Sequence, residues 1–142
     1  MRPRKIREHI SAVGAVDWDR RLFDALIPLP DGTSYNSYLI RGREKTALID
    51  TVDPTKRDIL FENLRDIASL DYVIAHHGEQ DHSGSIPAVL EKYPKAKVVC
   101  SAKAKGILID LLAIPEGQFI TVGDGETLSL GGATLEFIHT PW

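Results

Sequence analysis

The stretch "HHGEQDHSGS", residues 76–85, places three histidines, a glutamate and an aspartate within seven consecutive positions. Within it, His77, Glu79, Asp81 and His82 are candidate metal ligands, because imidazole and carboxylate groups both bind transition metals. A solvated polar turn with one or two helix caps is the alternative interpretation. Four candidate ligands in six positions favour the metal site over the turn.

The position of this cluster along the chain supports a site. It follows the short apolar run Asp71–His76, which is typical of a buried strand. The small residues Ser83, Gly84 and Ser85 allow the backbone to turn tightly into a helix that is predicted to end before Pro94. Loops between a strand and a helix are favoured sites in layered folds, because rigid elements hold both of their ends.

The rest of the chain predicts alternating strands and helices. The predicted elements are two strands within residues 34–51 with a turn at Gly42–Glu44, a helix opened by Pro54, a strand at Lys97–Cys100, a helix over residues 101–113 and strands within 119–138. Strand pairs followed by helix, strand, helix, strand and helix predict an α/β or α+β layered fold with a mixed sheet.

Composition excludes several classes of protein. A length of 142 residues corresponds to one domain, and 43% apolar with 26% charged residues is an ordinary globular composition. A net charge of −3 gives no reason to expect nucleic acid or an anionic membrane as partner. No apolar run approaches the roughly 18 residues of a membrane span, and no signal-peptide core is visible. The single cysteine, Cys100, excludes an internal disulfide, predicts a buried small residue and fits a cytoplasmic location.

The spacing His77-x-Glu79-x-Asp81-His82 resembles the signature loop of the metallo-β-lactamase superfamily, in which most members have a third histidine where Glu79 stands. The glutamate variant, followed by Ser-Gly-Ser, resembles the flavodiiron proteins, also called A-type flavoproteins. Further segments resemble the N-terminal part of that family: Val16–Asp19, Gly32–Ile40 and Lys45–Val52. The resemblance extends from about residue 5 to Trp142.

This resemblance implies a metallo-β-lactamase-like αββα sandwich and two non-haem irons. His77 and Glu79 would bind one iron, and Asp81 and His82 the other. The family reduces dioxygen to water, nitric oxide to nitrous oxide, or both, with electrons from FMN in a flavodoxin-like domain and often from a rubredoxin-like donor. The chemistry of Glu79 agrees, because a carboxylate adds negative charge and a hard oxygen, which shifts preference from zinc toward iron or manganese.

The sequence also departs from the family pattern. Three further ligands (two histidines and a bridging aspartate) and the FMN domain find no counterpart in residues 1–142. We therefore expect the N-terminal part, or half, of a diiron domain, inactive as this fragment, with an incomplete metal site. An uncovered sheet face or edge is expected to promote homo-oligomer formation or association with a chain that supplies the missing half.

Two other functions remain open on the sequence. One is a zinc-dependent hydrolase of the metallo-β-lactamase superfamily, such as a glyoxalase-like thioesterase, against which Glu79 argues. The other is a non-catalytic remnant or assembly module that retains the fold without the chemistry. Metal content distinguishes the first alternative, since iron indicates the oxidoreductase and stoichiometric zinc the hydrolase.

Several residues outside the ligand set carry weaker expectations. His76 is predicted to pack in the interior or to support a ligand without binding the metal, because successive residues of a strand point to opposite faces and His76 precedes His77. Asp50 is a candidate to orient a ligand histidine. His139 is an unfavoured substitute ligand. Core or domain-interface roles are predicted for three aromatic residues: Trp18, Tyr35 and Tyr38.

Overall fold

A computed structural model describes residues 2–140 and centres on a seven-stranded sheet with the order β1-β2-β7-β8-β9-β10-β11. The strands are β1 Arg4–Arg7, β2 Ile10–Ala12, β3 Ala15–Asp17, β4 Leu22–Phe23, β5 Ile27–Pro28, β6 Thr33–Tyr35, β7 Tyr38–Arg41, β8 Thr46–Ile49, β9 Tyr72–Ile74, β10 Lys97–Cys100, β11 Phe119–Thr121, β12 Thr127–Ser129 and β13 Thr134–Glu136. The helices are α1 Arg57–Asn63, α2 Gln80–Ser83, α3 Ile86–Lys92 and α4 Ala102–Leu112, with 3₁₀ turns at Pro54–Lys56 and Glu116–Gln118.

The sheet is mixed, as the sequence predicts. Strands β1, β2, β7 and β8 pair antiparallel, whereas β8, β9, β10 and β11 pair parallel. Every parallel connection runs through at least one helix, because a parallel pair needs a long crossover. Three two-stranded pairs, β3–β6, β4–β5 and β12–β13, accompany the main sheet.

One face of the sheet packs against the helices. Leu48, Val73 and Val98 form a row across β8, β9 and β10 in the strand register, and all three are fully buried. Leu60 of α1 and Leu108 of α4 belong to the same core cluster. Burial of these side chains supplies the main stabilisation of this layer, at roughly 1.5–3 kcal/mol for each large apolar side chain.

The opposite face is covered by the β12–β13 hairpin. Ala47, Ile74 and Val99 face that side, since alternate residues of a strand point to opposite faces. Leu130, in the turn that follows β12, is fully buried against them, and Leu135 of β13 packs beside it. Both faces of the central strands are therefore covered, which explains their continuous apolar sequences. The architecture of helices, sheet and hairpin agrees with the predicted layered fold.

Local signals in the sequence set the helix boundaries. Asp53 accepts a hydrogen bond from the Thr55 amide at 2.9 Å and caps the turn that precedes α1. Ser101 caps α4 by accepting a hydrogen bond from the Ala104 amide at 3.2 Å. The helix ends at Ala113, whose φ of 53° lies in the left-handed region.

The single cysteine and the aromatic residues occupy different environments. Cys100 is buried, as predicted, and burial raises the pKa of its thiol to about 11. Tyr35 belongs to the main core, whereas Trp18 is 69% exposed. Trp18 therefore lies outside the core, and the domain-interface role predicted as the other possibility for it stays a prediction. Among residues 2–140 the structure contains no helix long and apolar enough to cross a membrane.

Candidate metal centre

The candidate ligands follow β9 at the carboxyl edge of the parallel strands. Ala75 continues the buried strand, and His77 and Glu79 lie in the loop after it. Asp81 and His82 lie on α2, a single helical turn. The sequence predicted a loop for this whole segment, and that expectation is wrong for α2. The turn is closed by hydrogen bonds that the backbone amides of His82 and Ser83 donate to the Glu79 carbonyl, at 3.1 and 2.8 Å.

The four candidate ligands form two histidine–carboxylate pairs. His77 Nε2 lies 3.4 Å from Glu79 Oε2, and His82 Nε2 lies 3.4 Å from Asp81 Oδ2. The two imidazole rings are adjacent, with centroids 4.7 Å apart and planes inclined by 44°. The loop therefore brings its two pairs beside each other.

The two pairs do not converge into a closed cage. In the stretch from residue 2 to residue 140, no group of three or more His, Cys, Asp or Glu side chains is arranged to hold a metal ion. The Glu79 side chain is 52% exposed, whereas that of His82 is 22% exposed. One side of the centre thus opens to the surroundings at Glu79.

Asp50 supports the start of the ligand loop through His76. The Asp50 carboxylate accepts a hydrogen bond from the His76 amide at 2.9 Å, and its Oδ2 lies 2.8 Å from His76 Nδ1. The hydrogen bond with Asp50 raises the pKa of the His76 imidazole, against a smaller lowering effect of partial desolvation. Asp50 Oδ2 is 4.0 Å from His82 Nδ1, so its direct partner is His76 and not the predicted ligand. His76 supports the loop but does not pack, because its side chain is 64% exposed.

Two hydroxyl groups also bind the loop, and the sequence analysis did not single them out. Thr51 donates to the His82 carbonyl through its amide at 2.8 Å and through Oγ1 at 2.6 Å. Ser83 Oγ donates to the Gly78 carbonyl at 2.9 Å. Both residues are buried, and buried hydroxyl groups are normally hydrogen-bonded. The sequence offers one signal for Ser83, its position directly after His82, and none for Thr51. His139 lies elsewhere, exposed, with its amide bonded to Asp124.

Most of this chain matches a known protein family. The family model described as the metallo-beta-lactamase superfamily matches residues 30–141. The chain belongs to this superfamily. Its metallo-beta-lactamase domain is related to the flavodiiron proteins, and its α/β fold matches theirs, as the sequence predicted.

Relatives of this metallo-beta-lactamase domain are longer proteins. The chain is 45% identical to "Putative diflavin flavoprotein A 2" of Synechocystis sp. over 96% of its own length and 24% of the relative's. It is 38% identical to an anaerobic nitric oxide reductase flavorubredoxin of Vibrio vulnificus, covering 96% of this chain and 28% of that one. The structure of rubredoxin oxygen:oxidoreductase from Desulfovibrio gigas superposes with a TM-score of 0.89 at 33% identity, covering 96% of this chain and 34% of that chain.

The chemical types of the candidate donor atoms in this metallo-beta-lactamase domain are suited to iron. Each pair combines one imidazole nitrogen with one carboxylate oxygen, a combination that suits iron better than a set of imidazoles alone. His82 Nδ1 is buried without a hydrogen-bond partner, and the nearest carboxylate oxygen of Asp50 is 4.0 Å away. A histidine that binds a metal through one nitrogen commonly directs the other to a carboxylate, so this placement suits a ligand that binds through Nε2.

Proposed function

We propose that this chain is the iron-binding part of a flavodiiron oxidoreductase that reduces dioxygen to water, nitric oxide to nitrous oxide, or both. The supporting observation is the pairing of His77 with Glu79 and of Asp81 with His82, with the two imidazole rings 4.7 Å apart. The names of the relatives agree with both substrates, since one is a nitric oxide reductase flavorubredoxin and another a rubredoxin oxygen:oxidoreductase.

In this proposal the four residues hold two irons. His77 and Glu79 would hold the first and Asp81 and His82 the second, and two irons held there would supply one-electron redox chemistry, with further electrons coming from the FMN-containing donor. The carboxylates contribute negative charge and hard oxygen donors, which stabilise the ferric state. The remaining ligands come from outside the described residues, because this chain supplies two donors to each iron. Without them, the proposal assigns no turnover to the chain alone.

The protein positions these donors by supporting the loop at both ends. Asp50 binds the amide of His76, the residue before the first ligand, and Thr51 binds the carbonyl of His82, the last ligand. Both supporting residues directly follow β8, so the sheet fixes the ligand loop. The exposed side of the centre, at Glu79, leaves room for a small diatomic substrate and for the completing ligands.

The proposal includes partners for the electron supply. FMN would be bound by a flavodoxin-like domain outside this chain, and a rubredoxin-like protein would reduce it. A copy of this chain, or a chain that supplies the missing half, would cover the open side of the centre. Cytoplasmic location is part of the same proposal, and a single buried cysteine, Cys100, is compatible with it.

Metal analysis of the freshly purified protein tests the proposal. We expect iron to be bound in preference to zinc, both in the chain alone and, more tightly, in co-expression with a chain that supplies the missing half. Glu79→His replaces the hard donor with imidazole and is expected to reverse the preference toward zinc. Glu91→His, a change of the same kind on the exposed surface of α3, serves as the matched control.

Two results would contradict the proposal. Stoichiometric zinc in the native protein, together with an unchanged metal preference in Glu79→His, would indicate a zinc-dependent hydrolase of the superfamily instead. Absence of iron even in the co-expressed complex would leave a non-catalytic role for the domain.

A further inference from the structure

Two buried hydroxyl groups lie against the main chain of the ligand loop, one at each histidine–carboxylate pair. Thr51 is fully buried and Ser83 nearly so. Thr51 Oγ1 donates to the carbonyl of His82, and Ser83 Oγ donates to the carbonyl of Gly78, which lies between His77 and Glu79. Each pair of candidate ligands therefore has one main-chain carbonyl held by a side-chain hydroxyl.

The bond from Thr51 attaches the second pair to the sheet. The His82 carbonyl receives two hydrogen bonds from this one residue, at 2.6 Å from Oγ1 and 2.8 Å from the amide. Rotation of the peptide after His82 would break both. Because Thr51 comes two positions after the last residue of β8, the orientation of α2, and with it of Asp81, follows the sheet.

The bond from Ser83 attaches the first pair to the second. Ser83 directly follows His82, and its hydroxyl spans 2.9 Å to the carbonyl that separates His77 from Glu79. The Ser83 side chain thus links the backbone next to His82, the last candidate ligand, to the backbone next to His77, the first. Without the Ser83 bond, the main chain beside His77 would be restrained on the His76 side, where the amide is bonded to Asp50, but no longer at Gly78.

Neither hydroxyl is needed to form the helical turn itself. The turn α2 is already closed by backbone bonds from His82 and Ser83 to Glu79 and from Gly84 to Gln80. The two hydroxyls add restraints on how the turn lies relative to β8 and on how the preceding loop lies relative to the turn. Their contribution is therefore to the separation of the two ligand pairs.

We propose that Thr51 and Ser83 are positioning residues that set the separation of the His77–Glu79 and Asp81–His82 pairs. This inference rests on the proposed function, since the pairs matter as metal ligands. It assigns a role to two residues that touch neither metal nor substrate. Loss of either hydroxyl is expected to separate the two rings and to weaken metal binding without unfolding the domain.

The test compares Thr51→Val and Ser83→Ala with a matched control. Ser85→Ala removes another buried hydroxyl, whose Oγ donates to the Val52 carbonyl at 2.7 Å, away from the ligands. Thr51→Ser retains the hydroxyl and is expected to restore wild-type behaviour. Thr51→Ala replaces Thr51→Val if the latter does not fold, as judged by circular dichroism.

The first measurement uses the metal-free protein, so that it does not depend on the proposed function. Nuclear Overhauser contacts between the imidazole protons of His77 and His82 are expected in the wild type, whose ring centroids are 4.7 Å apart. We expect these contacts to be lost in Thr51→Val and Ser83→Ala. They should persist in Thr51→Ser and Ser85→Ala.

The second measurement is anaerobic calorimetric titration with Fe(II) alone. Loss of a group that orients a ligand commonly weakens metal binding 10- to 100-fold, and we expect that decrease for Thr51→Val and Ser83→Ala. Ser85→Ala should remain within about twofold of the wild type, because its hydroxyl touches no part of the ligand loop.

The outcomes separate the positioning role from the function. Unchanged ring contacts in Thr51→Val and Ser83→Ala would overturn the inference, whatever the titration gives. An equal decrease in Ser85→Ala would also overturn it, because the effect would then belong to any buried hydroxyl. A wild-type protein that binds no Fe(II) would contradict the proposed function, while the ring contacts still decide the role of the hydroxyls.

Discussion

Gly84, the residue after α2, is the position at which one added methyl group is expected to do most harm to the ligand loop. Its φ of −62° is an ordinary helical value, so alanine would meet no backbone strain there. The obstacle is space, because a Cβ at Gly84 would lie 2.6 Å from the Gln80 carbonyl oxygen and 2.8 Å from Cγ and Cδ of Pro54. The carbonyl belongs to the main chain and the Pro54 atoms to a closed ring, so neither can rotate away.

The magnitude of the effect follows from these contacts. Overpacking of this kind typically destabilises a protein by about 1–3 kcal/mol. For a chain of this length, each kcal/mol lowers the melting temperature by roughly 3 °C, which predicts a decrease of about 3–9 °C for Gly84→Ala. The required shift moves α2 away from Pro54, so the contact between the His77 and His82 rings is expected to weaken as well.

Two other glycines provide matched controls for the same substitution. A Cβ at Gly106, inside α4, would meet nothing within 4 Å, and Gly106→Ala is expected to stabilise the protein by about 0.8–1 kcal/mol through helix propensity. A Cβ at Gly78 would lie 2.6 Å from Ile107 Cγ2, a methyl group of a half-exposed helical side chain that only a change of χ1 or a small shift of the loop can move away. Gly78→Ala should therefore fall between the other two.

Thermal unfolding followed by circular dichroism measures all three variants under one condition. The expected order of melting temperature is Gly106→Ala, then wild type, then Gly78→Ala, then Gly84→Ala. The steric reasoning would be refuted if Gly84→Ala melted within 1 °C of the wild type while Gly106→Ala behaved as expected.

Three further predictions concern stability and reactivity. Asp17 is buried, which raises its pKa, but the hydrogen bonds from Lys56, Tyr35 and the amide of Asp19 keep the pKa lowered overall. Asp17→Asn should therefore lower the melting temperature at pH 7. The difference in melting temperature between the variant and the wild type should shrink below about pH 4, because the Asp17 carboxylate then becomes protonated. Cys100, whose pKa is raised to about 11 by burial, should not react with Ellman's reagent at pH 8 until guanidinium unfolds the chain; rapid reaction of the folded protein would contradict its burial. Leu48→Ala should lower the free energy of unfolding by about 2–5 kcal/mol in urea titrations, because Leu48 is fully buried; a loss under 1 kcal/mol would place it outside the core.

The sequence predicted well the elements that carry local signals. The strand Lys97–Cys100 has the predicted bounds, and the helix that follows begins after the capping residue Ser101 and ends before Pro115. The predicted helix after Ser85 is α3, with Pro87 in its first turn. These segments combine an apolar run or stripe with a capping residue or proline, so propensity and pattern agree.

The N-terminal segment shows where such signals fail. The sequence predicted no element before residue 34, whereas the structure has five short strands there. These strands have two to four residues, too few to display alternation. The turn between β4 and β5 places Asp24 and Ala25 at positive φ, and alanine gives no sequence signal for that conformation.

The candidate ligands could be singled out from the sequence because they are contiguous, and their role as metal ligands stays a prediction. The grouping of His77 with Glu79 and of Asp81 with His82 appears in the structure. Asp50 was predicted to orient a ligand histidine, but its contact with His76 and the contact of Thr51 with His82 were not predicted, because these residues reach the loop from positions 26 and 31 residues away. Such contacts depend on the parallel pairing of β8 with β9, which local patterns do not determine.

These separations in sequence also determine the order of events during folding. Short zinc-binding motifs let the metal organise the chain, because their ligands alone define the shape of the site. Here the residues that shape the loop meet only after β8 and β9 have paired in parallel, a step that first requires closure of a long chain segment. If the chain binds metal as proposed, binding would then follow formation of the sheet, and an apo form with an intact core would be the species that binds the metal.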